Sequence, residues 1–158
     1  MHLYLVQHGD AVSDAVDPRK PLSPKGRQTV AELSRACRGF GVKAVEVLHS
    51  GKLRALETAE ILGDFLGIPV RASAGLDPLD PPRPFAAEIE GWTDSRIIVG
   101  HLPFLERLAS LLAAGREEPS MISFQRGGMV CLEKRASSDW RIQWTFFPDQ
   151  PKSATAKE

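Results

Sequence analysis

The chain has 158 residues, 42% hydrophobic and 25% charged, with 20 basic and 20 acidic side chains that cancel to a net charge of zero. That length suits one domain able to bury a core without disulfide or metal staples, and the balanced charge gives no electrostatic ground for nucleic acid or a membrane surface as partner. The two cysteines, Cys37 and Cys131, lack CxxC spacing and no 18-residue apolar segment exists, which argues against a disulfide framework, a cysteine zinc site or a membrane span and makes the cytoplasm the expected location.

Taken in chain order, "LYLV" at 3–6 is a short apolar run of strand formers, the pattern of a strand buried on both faces. Residues 12–22 carry Ser, Asp and two prolines and read as a loop. Ser23 is a good N-cap and Pro24 suits a first helical turn. Val30, Leu33, Ala36 and Cys37 then share one helical face, and Gly39 and Gly41 end the helix. "AVEVLHS" at 44–50 predicts a second strand. The following stretch predicts an amphipathic helix with Leu53, Leu56, Ala59 or Glu60, and Leu66 in period, stopped by Gly67. "IPVRAS" at 68–73 predicts a third strand, and "GLDPLDPPRP" at 75–84, with four prolines in ten residues, a loop.

"FAAEIEGW" predicts a short helix, "SRIIVGH" a buried strand, and "LPFLERLASLLAAG" a helix with Pro103 early and Gly115 behind it. "GGMVCLEK" and "WRIQWTFF" around a polar "RASSD" turn predict a hairpin. Strands alternating with helices imply an α/β domain over 1–147, three-layered, with a mostly parallel central sheet and a C-terminal antiparallel hairpin. Residues 148–158 read as a polar, flexible tail.

The chemistry gathers at strand ends. The first strand runs into "QHGD", the second into "HSGKLR" and the fourth into "GHLP". Ligands of parallel sheets bind at the carboxyl ends of strands, so His8, Ser50, Arg54 and His101 are expected to converge. Two histidines, an arginine and a helix N-terminus suit a phosphate, whose oxygens amides and a guanidinium can hold while a neutral histidine attacks phosphorus. No Walker A loop, GxGxxG or HExxH occurs, so nucleotide cradling and zinc hydrolysis lack support.

"LVQHGDA", "LSPKGRQTVAEL", "HSGKLRALETAEIL" and "VGHLPFLERLASLL" together resemble the histidine phosphatase superfamily, and most of all its small SixA-type members, which lack an inserted helical cap. The resemblance spans roughly residues 1 to 147 and implies a phosphatase without metal or cofactor. It implies His8 as a nucleophile that becomes phosphohistidine, Arg54 as phosphate clamp, His101 as the second phosphate-binding histidine, and Gly9 and Ser50 as phosphate-binding neighbours; Lys20, in "RKPLS", is a candidate phosphate-binding residue at the mouth of the site, or else a solvated loop lysine. It implies as partner a phosphorylated histidine on a phosphotransfer protein or phosphocarrier, with a small phosphorylated metabolite as the alternative. Asp77, Asp80 and Asp10 are the candidate general acids. Gln7 stands where the family motif has arginine. A glutamine donates an amide N–H but brings no charge, and losing one charge-assisted pair of bonds costs about 1.5–3 kcal/mol, roughly 10- to 150-fold in rate. Lys20, Lys52 or Arg83 are candidates to supply that charge; with none, the chain would be a weakly catalytic phosphate-binding module.

Overall fold

The computed structural model describes residues 1–148, so the tail expected at 148–158 lies, beyond Pro148, outside the described residues. Six strands form one sheet: β1 (His2–Gln7), β2 (Val47–His49), β3 (Val70–Ala72), β4 (Arg96–Gly100), β5 (Met129–Ala136) and β6 (Asp139–Phe146). Their spatial order is β3-β2-β4-β1-β5-β6. The first four strands are parallel, while β5 runs antiparallel to β1 and forms the expected hairpin with β6.

Four helices cover the sheet: α1 (Pro24–Gly39), α2 (Leu53–Leu66), α3 (Pro82–Glu90) and α4 (Phe104–Ala114). The alternation along β1 explains the layering, because successive side chains point to opposite faces. Leu3 and Leu5 join Phe85 and Ile89 of α3 and Phe104, Leu105 and Leu108 of α4 in one core. Tyr4 and Val6 join Val30 and Leu33 of α1 and Ala55, Ala59 and Leu62 of α2 in the other. The result is the three-layer α/β/α architecture expected from the sequence. The helix after β1 thus lies on one face and the helix after β4 on the other. The crevice between these neighbouring strands is a topological switch point.

Three local readings are corrected. The second strand is three residues long rather than seven. The buried face of α2 is Ala55, Thr58, Ala59, Leu62 and Gly63, one position away from the Leu53–Leu56 stripe. Small residues let the helix lie close to the sheet, and a Cβ on Gly63 would collide with Val70. The proline-rich loop ends at Pro81, because Pro82 and Pro84 fall in the first turn of α3, where the missing N–H has no helical partner to lose. Elsewhere the sequence signals hold. Ser23 Oγ accepts the Gly26 N–H at 3.0 Å as the α1 cap, and Gly67 and Gly115 end α2 and α4 in the left-handed region at φ 71° and 77°. Both cysteines are buried and free.

Candidate active site

Register brings the site together. Gln7 of β1 is level with Gly100 of β4, and His49 of β2 is level with Val99. The next residues, His8, His101 and Ser50, therefore leave three neighbouring strands at almost the same height. The His8 N–H still donates to the Gly100 carbonyl at 3.1 Å, one rung beyond the ladder. The two imidazoles lie 5.0 Å apart between ring centroids. Ser50 Oγ is 2.6 Å from His101 Nε2 and also accepts the Lys52 N–H at 3.3 Å. Ser50 is thus no helix cap: the N-cap of α2 is Lys52, which makes no side-chain cap bond.

The ring of His8 has a fixed tautomer. Nδ1 lies 2.7 Å from the Gly9 carbonyl oxygen, and a carbonyl only accepts, so Nδ1 carries the hydrogen and Nε2 of the neutral ring keeps its lone pair. Burial pushes His8 down to about 4, with the charges of Arg54, Arg126 and Lys20 acting in the same sense. Burial, then His8, Arg54, Lys52 and Lys20, push His101 down to about 3. Both histidines are therefore neutral near pH 7. Two buried side-chain atoms have no hydrogen-bond partner among the described residues, Gln7 Oε1 and His101 Nδ1. An unsatisfied buried polar atom costs about 1–3 kcal/mol, and both stand at this crevice.

A cleft of about 350 Å³ opens here, lined by Gln7, His8, Lys20, Arg54 and Arg126 together with residues 11–13. Lys20 reaches it because residues 11–22 fold back on themselves, pinned by an isolated Ala11–Leu22 bridge and by Val12 N–H to Pro21. Glu57 of α2 holds the base of this loop by accepting the Leu22 N–H at 2.8 Å. Lys20 has φ 53°, a left-handed conformation that strains a residue with a side chain. Gly9 also has a packing role. Its amide donates to Thr58 Oγ1 at 3.0 Å, and an added Cβ would sit 2.8 Å from Val30 Cγ2 of α1, so close packing on α1 accounts for the glycine.

Asp77 and Asp80 are not brought to this cleft. Asp80 accepts the Asp77 N–H at 2.8 Å within their own loop and lines a separate hollow with Phe85. Arg83 is also elsewhere, paired with Glu117 at 3.6 Å. The residue that sequence reasoning missed is Arg126. Val6 of β1 pairs with Met129, and Gly127 N–H donates to the Gln7 carbonyl at 2.9 Å. An antiparallel strand begins where its parallel neighbour ends, so the residue before "GGMV" falls at the level of His8.

A neutral imidazole with a free Nε2, beside a second histidine and basic side chains at a switch-point crevice, is the equipment of an enzyme that handles phosphoryl groups. The chain belongs to the histidine phosphatase superfamily (branch 1), whose family model matches residues 3–82, and it is a hydrolase of the phosphatase type. It is 29% identical over 163 aligned positions to the phosphohistidine phosphatase SixA of Escherichia coli (strain K12), with 99% of each chain covered. The solved structure of protein histidine phosphatase SixA complexed with tungstate superposes with a TM-score of 0.82 at 26% identity, covering 94% of this chain and 97% of that one. A mycobacterial glucosyl-3-phosphoglycerate phosphatase, at 15% identity and TM-score 0.72 over 90% of this chain and 97% of its own, shares the fold.

Proposed function

We propose that this chain removes phosphate from a phosphorylated histidine on a protein, a phosphotransfer domain or phosphocarrier of the cytoplasm, through a phosphohistidine formed on His8. The observation that carries the reading is the lining of the His8 cleft, which among the described residues contains basic and neutral residues and no carboxylic acid. The adjacent Asp10 is held ionised, below the usual carboxylate range, by hydrogen bonds from Ser23 and Arg126, and so is a poor proton donor. Alkyl phosphates need an acid to protonate the departing oxygen. A phosphorylated imidazole does not, because it leaves readily once its ring carries a proton. Similarity to SixA supports the same substrate class.

The chemistry follows from the groups present. His8 Nε2 attacks phosphorus, the N–P bond to His8 forms, and the N–P bond to the substrate imidazole breaks. The Arg54 guanidinium balances charge on the equatorial oxygens, and neutral His101 donates a ring N–H to them. Water then attacks the phosphohistidine, the His8 N–P bond breaks, and inorganic phosphate and neutral His8 are released.

The test compares release of inorganic phosphate from a histidine-phosphorylated phosphotransfer domain, a sugar phosphate and an aryl phosphate. A kcat/KM at least 100-fold higher on the phosphohistidine protein than on the sugar phosphate, lost in His8→Ala, is expected. Equal or better turnover of the sugar phosphate would transfer the site to small metabolites, and turnover that survives His8→Ala would remove the covalent intermediate.

A further inference from the structure

Where the family motif has an arginine, this chain has Gln7, nine-tenths buried with Oε1 unpartnered at the floor of the cleft. The cation has not been lost from that flank. Arg126 enters the same cleft from the start of β5, the strand paired to β1 on the side away from β4. Its Nη1 donates to Asp10 Oδ1 at 2.6 Å, and the other oxygen of Asp10 accepts the Ser23 hydroxyl at 2.7 Å. Ser23 is in turn fixed as the cap of α1. A chain of bonds from a helix terminus therefore aims the guanidinium, which has five N–H donors in a planar fork of which Asp10 engages one edge.

We propose that Arg126 is a phosphate-binding residue that takes over the charge missing at position 7, so that the oxyanion is held by Arg54 from one side and Arg126 from the other. The proposal rests on the reading of this cleft as the phosphate site. Gln7 and Arg126 both line the His8 cleft and the adjoining hollow of about 370 Å³ that also contains Asp10, so the two side chains form one wall. Arg126 and Lys20 both act on His8, and the turn that carries Arg126 is tied to β1 by the Gly127 N–H on the Gln7 carbonyl at 2.9 Å. Arg126 thus stands on the flank where the arginine is missing. The arrangement moves one positive charge from β1 to the turn that leads into the neighbouring strand.

A double-mutant cycle tests this with inorganic phosphate as the probe, read as a calorimetric Kd and as an inhibition constant. Arg126→Met is expected to weaken phosphate binding about 10- to 100-fold, the size of a lost charge-assisted contact. Gln7→Arg should change binding less than threefold in the wild-type background and recover at least fivefold in the Arg126→Met background. Recovery below fivefold in the Arg126→Met background, an unchanged Kd in Arg126→Met, or equal recovery in a Lys20→Met background overturns the proposal. The Arg126 side chain is 60% exposed, so its removal leaves the fold intact, which thermal melting verifies. Phosphate binding needs no phosphohistidine substrate. A wrong substrate class would leave this cycle unchanged, and a failed cycle would leave the substrate comparison standing.

Discussion

Ser50 Oγ and His101 Nε2 lie 2.6 Å apart across β2 and β4, so Ser50 is the partner that orients a buried histidine. Ser50→Ala removes this bond and frees the ring to rotate. One such bond contributes about 0.5–1.5 kcal/mol, so kcat/KM for an aryl phosphate should fall about 2- to 13-fold. Ser50→Thr, which keeps the hydroxyl, should retain most of it. Unchanged kinetics in Ser50→Ala would leave His101 positioned by packing alone.

The depressed histidines make the fold sensitive to acid. A free imidazole titrates near 6.5, His8 near 4 and His101 near 3. Between these values the unfolded chain takes up protons that the folded chain does not. Stability from this source is fully present above pH 6.5 and is lost as pH falls toward 4 for His8 and 3 for His101. A His8→Asn, His101→Asn double variant should therefore lose less Tm between pH 7 and pH 4.5 than the wild type does. An equally steep loss would place the acid sensitivity elsewhere.

At the far end of the sheet, Glu90 should matter for stability and not for activity. It accepts the Trp140 Nε1–H at 2.8 Å and the Ser138 N–H at 3.2 Å, and pairs with Lys134 at 3.4 Å. Trp140 is 2% exposed, so Glu90→Ala leaves an unsatisfied indole N–H. A loss of about 1–3 kcal/mol is expected, or roughly 2–10 °C in Tm, with kcat/KM unchanged. These residues sit near the amino end of β1, where His2 pairs with Glu133, well away from His8.

The two candidate faces of α2 can be weighed directly. Leu62 is fully buried, while Leu56 is only partly buried. Leu62→Ala should destabilise by about 2–5 kcal/mol in urea unfolding, and Leu56→Ala by less than half of that. Comparable losses would restore the face that hydropathy alone favours.

That pair shows what was legible in the sequence and what was not. Strands buried on both faces, such as β1 and β4, announce themselves as continuous apolar runs, and capped helices such as α1 carry their own punctuation. The crossing of "QHG", "HSG" and "GHL" at one end followed from strand polarity, which is why His8, Ser50 and His101 could be named together. The α2 face was misread because close approach to the sheet selects Ala55, Ala59 and Gly63 over larger side chains, which periodicity of hydrophobicity does not register. Pro82 and Pro84 were read as loop because proline is tolerated in a first turn and forbidden in later ones, and the helix start was not visible. Arg126 was missed for a reason of topology, since its place beside Gln7 depends on β5 pairing with β1, a contact between positions 120 residues apart.

Thr58 links the two halves of the site. Its hydroxyl accepts the Gly9 N–H at 3.0 Å and donates to the Arg54 carbonyl at 2.8 Å, and the residue is fully buried. One oxygen thus ties the backbone after His8 to the first turn of the helix that carries Arg54. Valine has the same shape but neither accepts nor donates, so Thr58→Val strands the buried Gly9 N–H at a cost of about 1–3 kcal/mol. If the tie positions the nucleophile, kcat should fall about tenfold while KM stays within about threefold, because a misplaced Nε2 affects attack more than binding. Thr58→Ser, which keeps the oxygen, should recover most of the lost kcat. Destabilisation in Thr58→Val with kcat intact at temperatures well below the melting transition would reduce the residue to packing.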